Sequence, residues 1–291
     1  MPRSSLVSSL ALASSLSLHA CAPAPSLSTS SPAAIPAGSA AELTRVGLSI
    51  RELLPEVFLV VQESPHQSSG NVLVVRMRDG SVVICSSPYD TEATRALVRH
   101  LRARFAPSHI VAINTHFHVD GTAGNEAYDA EGVETYASDH TVALQTERSS
   151  AGPEGMARYV EAEDPALAAR IRATRVVAAQ HVFPESEGLL LTFAGEPVRA
   201  LFLGGGHSPD NVVVHFPERG VLFGGCMVRS HPGLGNTADA DLSHWATSAD
   251  AAAQLSPRII VPGHGAPGGP ELLATTAAAV REHQRAHDNA H

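Results

Sequence analysis

The chain has 291 residues, 44% of them hydrophobic, enough for one large domain with a well-buried core. Its formal net charge is −9 and it carries no basic run, which argues against nucleic acid as a partner. No apolar stretch reaches the roughly 18 residues that a membrane-spanning helix needs.

The chain opens with Arg3, a Leu/Ala/Ser stretch and then small residues, a secretory signal pattern over 1–21. Leu18-His19-Ala20-Cys21 resembles a bacterial lipobox, which would make Cys21 a lipidated mature N-terminus. Ordinary cleavage after Ala22 or Ala24 is the alternative. Either way the expected location is the periplasm, with Cys21 as the anchor to the outer membrane if lipid is attached. Residues 22–41 are Pro, Ala and Ser and read as a tether, so the folded domain is expected over 42–291.

Apolar runs then predict strands at Val57–Gln62, Val72–Arg76 and Ser81–Cys85, the last two joined by a hairpin turn at 78–80. A helix follows from Thr91 to Phe105, with Asp90 as N-cap and Leu97, Val98, Leu101 and Phe105 on one face. A buried strand over His109–Asn114 leads into "NTHFHVDGTAGN". Another strand is expected at 133–138, followed by a short helix. Residues 152–175 are charged and Ala-rich and read as one or two helices broken at Pro165, an insertion or a cover over the site. Strands return at Leu189–Phe193, Val198–Leu203, Asn211–Phe216, Gly220–Phe223 and Arg258–Val261, with helices at 243–255 and 270–287. Strand runs in both halves, each followed by helices, predict two face-to-face sheets with helices outside: an α/β, four-layer αβ/βα sandwich.

His116, His118 and Asp120 stand at alternate positions. Side chains of alternate strand residues share a face, so these three can converge. Three later stretches repeat one pattern of apolar strand, glycine, then a ligand-type residue: "LGGGHSPDN" with His207, "VLFGGCMVRS" with Cys226 and "IIVPGHGAPGG" with His264. Glycine lets the backbone turn sharply there. One metal would take His116, His118 and His207; a second would take Asp120, Cys226 and His264. Imidazole and thiolate favour zinc, and three protein ligands each leave a position open, as in catalytic sites.

"HFHVDG", "GGGHSPDN", "GGCMVRS" and "VPGHG" resemble the class B1 metallo-β-lactamases over roughly residues 55–285, and within that class most nearly the São Paulo-type enzyme. The resemblance implies the metallo-β-lactamase fold, two Zn2+ per monomer on the six residues above, and hydrolysis of the β-lactam amide by zinc-activated water. Penicillins, cephalosporins and carbapenems would be substrates, and the activity would confer antibiotic resistance. By position, Arg229 would pair with the substrate carboxylate and Asn236 would contact the lactam carbonyl, with Asp120 orienting the nucleophile. Gly121 follows the motif's Asp, where glyoxalase-II-like members carry His. Ser86 stands where many relatives place an Asp beneath the second zinc. The loop after Val61 is short, which leaves 152–175 as the candidate cover.

Two other readings use the same residues: a dizinc hydrolase of lactones, thioesters or phosphoesters, and a zinc-storing lipoprotein. His283, His287 and His291 read as a solvated C-terminal stripe, His109 and His215 as satisfied strand histidines, and Cys85 as core. A Cys85–Cys226 disulfide would abolish the second site.

Overall fold

The computed structural model describes residues 37–288, apart from 67, 149 and 150. The signal pattern, Cys21 and most of the tether lie outside the described residues. The tether's last five residues, 37–41, are helical, because α1 spans Ala37–Arg45.

The first half continues with β1 (Leu48–Leu54), β2 (Val57–Gln62), β3 (Gly70–Arg76), β4 (Val82–Cys85), α2 (Thr91–Phe105) and β5 (Ile110–Ile113). Then come α3 (Val119–Thr122), α4 (Asn125–Ala130), β6 (Glu134–Ser138), α5 (Asp139–Glu147), α6 (Ala151–Val160), α7 (Pro165–Ala173) and β7 (His181–Phe183). The second half holds β8 (Leu189–Phe193), β9 (Glu196–Phe202), β10 (Val212–Phe216), β11 (Val221–Gly225), α8 (Trp245–Ala253), β12 (Ile259–Pro262) and α9 (Glu271–Asp288).

One sheet runs β1 to β7 in chain order; the other runs β12-β11-β10-β9-β8. In the first, β1–β4 pair antiparallel and β4–β7 parallel. In the second, only β11 and β12 are parallel.

The alternation of side chains builds the layers. Leu59, Leu73, Val75, Val83, Cys85, Val111 and Ile113 point between the sheets, meeting Val212, Val214, Phe223 and Val261 from the other side. Their neighbours Val60, Val72, Val74, Val82, Ile84 and Ala112 face outward onto α1, α2 and α4. Across the molecule, Val213, Leu222 and Ile260 face Trp245, Ala249, Leu273 and Val280 of α8 and α9. Strands covered on both faces read as continuous apolar runs, as β3, β4 and β5 do. This is the expected four-layer sandwich.

Helix α2 begins where Asp90 accepts a hydrogen bond from the Ala93 amide at 2.8 Å, and it ends at Ala106 in the left-handed region. The insertion forms two helices, with Pro165 as the first residue of α7 and Asp164 capping it. Ala157, Val160, Leu167, Ala168 and Ile171 form a small core of their own around Tyr89, with Val119 and Met156 packed against it. The insertion is thus fastened down as a wall beside the "HFHVDG" loop. Cys85 sits in the inter-sheet core, and both it and Cys226 are free thiols. His215 is buried with its Nδ1 unpartnered, so it is not the satisfied strand histidine expected.

At one rim the sheets are stitched together. The Asn71 amide donates to Gly263 O at 2.8 Å, and its side-chain Nδ2 donates to Pro262 O and Gly265 O, both at 2.8 Å. The C-terminal ends of β5, β9, β11 and β12 open onto this rim.

Candidate metal centre

The six predicted metal ligands all lie in the segments that leave those strand ends. The route taken by the first motif differs from the one expected. Strand β5 stops at Ile113, the chain bends through His116 and Phe117, and His118 caps the single-turn helix α3. His116, in the bend, and Asp120, in the first turn of α3, therefore meet with Nε2 and Oδ1 3.5 Å apart, and not by strand alternation. His118 turns to the other side, where its Nδ1 lies 3.1 Å from His207 Nε2.

Two groups of donor atoms result, each within 4.8 Å of one another: His116, His118 and His207, and His116, Asp120 and Cys226. His264 joins the second group, its Nε2 3.3 Å from Cys226 Sγ and 3.3 Å from Asp120 Oδ2. Cys226 Sγ is 2.9 Å from the same carboxylate oxygen. The six residues predicted for two ions do converge.

The orienting bonds set which nitrogen of each ring is free. His264 Nδ1 donates to Ser69 O at 3.2 Å, which leaves Nε2 facing Asp120 and Cys226. His118 Nε2 donates to Asp239 Oδ2 at 3.0 Å, which leaves Nδ1 for the three-histidine group. Asp239 in turn takes Arg148. Neither residue was marked by the sequence: Asp239 sits among unremarkable small and acidic residues, 121 positions from His118.

The electrostatics fit a cation. His116 is buried, which opposes its charge, yet Asp120 and, more weakly, Asp210 raise its pKa overall. Burial and the neighbouring histidines hold His207 well below its usual pKa, and burial with His116 lowers His118. Their lone pairs are free at neutral pH. Burial works against the Asp120 carboxylate, but His116 and His264 hold its pKa well below the ordinary range. The Cys226 thiol is pushed up by burial and then by Asp120. As it stands the thiol can donate to the carboxylate 2.9 Å away; loss of that proton would put two negative groups side by side in a buried place, which only a bound cation would compensate. His116 Nε2 is buried with no hydrogen-bond partner, a ring nitrogen aimed into the cluster. The donor set is that of a zinc site.

Two glycines are required by close approach. A Cβ on Gly121 would press into the His116 carbonyl oxygen and lie 2.9 Å from His116 Nδ1. One on Gly263 would lie 2.6 Å from Cys226 Sγ. Ser86 is buried at φ 67, and its Oγ is 2.7 Å from Thr115 Oγ1, which is 3.3 Å from His116 Nδ1. It thus reaches the cluster through Thr115, beneath His116.

The remaining predicted residues line the loop after β11. The Arg229 guanidinium is half-buried against Gly235, with Nε 3.3 Å from Gly233 O. Among the described residues no carboxylate pairs with it. Asn236 is exposed, and its Oδ1 accepts from the Ala238 amide at 3.0 Å, so Nδ2 is the group it can offer.

Residues 67–264 match the family model described as the metallo-beta-lactamase superfamily. A metallo-beta-lactamase type 2 of Bacteroides fragilis is 28% identical over 243 residues, covering 81% of this chain and 86% of that protein. The Bacillus cereus protein of the same name is 28% identical over 210 residues, 71% of each chain. Among solved structures, a metallo-beta-lactamase from Pontibacter korlensis superposes with TM-score 0.67 at 26% identity, covering 80% of this chain and 99% of that one. The DIM-1 metallo-beta-lactamase gives 0.66 at 29% identity, covering 81% and 97%.

Proposed function

The chain belongs to the metallo-beta-lactamase superfamily, and on that footing we propose that it is a zinc-dependent hydrolase of the β-lactam amide bond. The observation that carries the reading is the meeting of His116, His118, His207, Asp120, Cys226 and His264 at one rim. Zinc in such a pocket supplies Lewis acidity, polarising a carbonyl and making water nucleophilic at neutral pH.

The chain's own residues do the rest. Asp120, kept ionised by His116 and His264, can accept a hydrogen bond from the attacking water and fix its approach. Arg229, with no carboxylate of its own, offers a charge-assisted bond to a substrate carboxylate. Asn236 can donate from Nδ2 to the lactam oxygen as it gains charge. The α6–α7 hairpin packs on Val119 and so supports the turn that presents Asp120.

Two zinc ions per chain are proposed, one on the three histidines and one on Asp120, Cys226 and His264, because six donors divide into two open sets. Within the superfamily we place the chain with the class B1 enzymes, nearest the São Paulo-type enzyme, on Cys226 and "NTHFHVDGTAGN". We further propose penicillins, cephalosporins and carbapenems as substrates, a monomer, and a mature domain exported to the periplasm with Cys21 as its anchor.

The test is imipenem and nitrocefin hydrolysis by the purified protein. Turnover should vanish with chelator and return on adding zinc, with about two zinc ions bound per chain at full activity. A zinc-loaded protein that cleaves lactones or thioesters and no β-lactam would overturn the substrate assignment. Zinc binding without hydrolysis of any ester or lactam would overturn the enzyme itself.

A further inference from the structure

His118 is held on both edges of its ring. Its Nδ1 faces His207, and its Nε2 donates to Asp239 Oδ2 at 3.0 Å. The other oxygen of Asp239 accepts from Arg148 Nη1. The Arg148 guanidinium also lies over the Phe117 ring, 5.2 Å from its centroid, and that ring is 4.3 Å from the imidazole of His118. Arg148 thus grips His118 twice, through Asp239 and through the residue next to it in the chain.

The base of this grip is rigid. Arg148 is the C-cap of α5, whose first turn is capped by Ser138. Thr141 in the same helix donates to the fully buried Asp210 at 2.8 Å. Asp239 by contrast sits on a loop between β11 and α8, outside regular structure. A carboxylate on such a loop can rotate, or turn an oxygen to water, and release the ring it orients. A guanidinium N–H on its second oxygen restrains that freedom.

We infer that Arg148 is a positioning residue: through Asp239 it fixes the tautomer and ring angle of His118, and so tunes the three-histidine site. This rests on the zinc reading of that site. A plain surface ion pair is the competing account. The side chains of Arg148 and Asp239 are 44% and 23% exposed, and pairs of that kind add little to folding. The two accounts therefore separate on metal affinity, not on stability.

The experiment measures zinc affinity of the full chain by competition with a chromophoric chelator, for Arg148→Ala, Arg148→Lys, Asp239→Asn and the Arg148→Ala/Asp239→Asn pair. Removing an outer partner of a ligating histidine costs about 10- to 100-fold in affinity. Asp239→Asn should fall in that range. Arg148→Ala, one bond further out, should lose roughly 3- to 10-fold, with Arg148→Lys between it and wild type. In the Asp239→Asn background Arg148→Ala should cost clearly less than in wild type, since only the contact through Phe117 remains to be lost. The cobalt-loaded variants should keep the thiolate-to-cobalt band of the Cys226 site while the ligand-field bands change. Wild-type affinity in Arg148→Ala, or an equal loss in both backgrounds, would overturn the inference alone. If Arg148→Ala also melts earlier without metal, the Arg148→Lys affinity decides between the same two results. A wild-type chain that binds no zinc would overturn the metal reading and this inference together.

Discussion

Replacing Gly121 by Ala is a sharp test of how tightly the metal loop is built. The added methyl would meet the carbonyl oxygen of His116, with His116 Nδ1 at 2.9 Å. That carbonyl cannot swing aside like the end of a long side chain. It belongs to the bend that delivers His116, and the loop is held by Gly121 N donating to His118 O at 2.9 Å and Asn114 Nδ2 donating to Gly121 O at 2.9 Å. Relief must come from moving backbone, at about 1–3 kcal/mol for an overpacked site. At roughly 2 kcal/mol the melting temperature should fall by about 4–8 °C in a domain of this size. The displaced bend carries His116, so zinc affinity should fall as well. The control is Gly155→Ala on α6, an exposed glycine whose Cβ would meet nothing within 4 Å. There the same methyl should stabilise by about 0.4–1 kcal/mol. Thermal unfolding with chelator and with zinc reads both variants. If Gly121→Ala melts within a degree of wild type and binds zinc equally well, the loop is looser than the geometry requires and the reasoning fails.

Three further outcomes follow from the same structure. Arg229→Ala should raise KM for a carboxylate-bearing β-lactam about 10- to 100-fold with little change in kcat, matching the loss of a charged hydrogen bond of about 1.5–3 kcal/mol; an unchanged KM would remove Arg229 from substrate binding. Cys226→Ser should delete the thiolate-to-cobalt band and weaken the second ion while sparing the three-histidine site, and a retained band would place the thiolate elsewhere. Glu196 is buried; burial raises its pKa, but Arg219, 2.5 Å away, and the Arg78 amide outweigh it and hold the pKa below its usual value. Its contribution is therefore complete above the unfolded carboxylate range and is lost as pH falls through the folded pKa. Glu196→Gln should cost about 1.5–3 kcal/mol in urea unfolding at pH 7 and less in acid; an equal cost at pH 7 and in strong acid would contradict the ion pair.

Much of this was written in local pattern. Strands β2 to β5 announce themselves because both faces are buried, so each carries an unbroken apolar run of four or five residues. Asp90 marks the start of α2 because its capping bond is local. The six donors were legible for the same reason: each follows a strand and a glycine or polar bend, and four loops at one rim leave them few places to go. What escaped notice depends on contacts between distant segments. Strand β1, LSIRELL, carries Arg51 and Glu52 and alternates weakly, and its pairing with β2 defines it. The three-residue β7 is too short to carry a period. Helix α3 hides inside a motif whose spacing suggests an extended chain. Asp239 and Arg148 find His118 only through the fold.

The seating of the α6–α7 hairpin ties it to the turn that carries Asp120. Val119 stands between two metal-site residues, His118 and Asp120, and its side chain rests on the hairpin's own small core, with Gly152 of α6 close by. Lifting those helices would tug directly on the turn that presents the carboxylate. The hairpin therefore behaves as a retaining buttress for that turn. Shortening α6 would slacken the loop that carries His118 and Asp120.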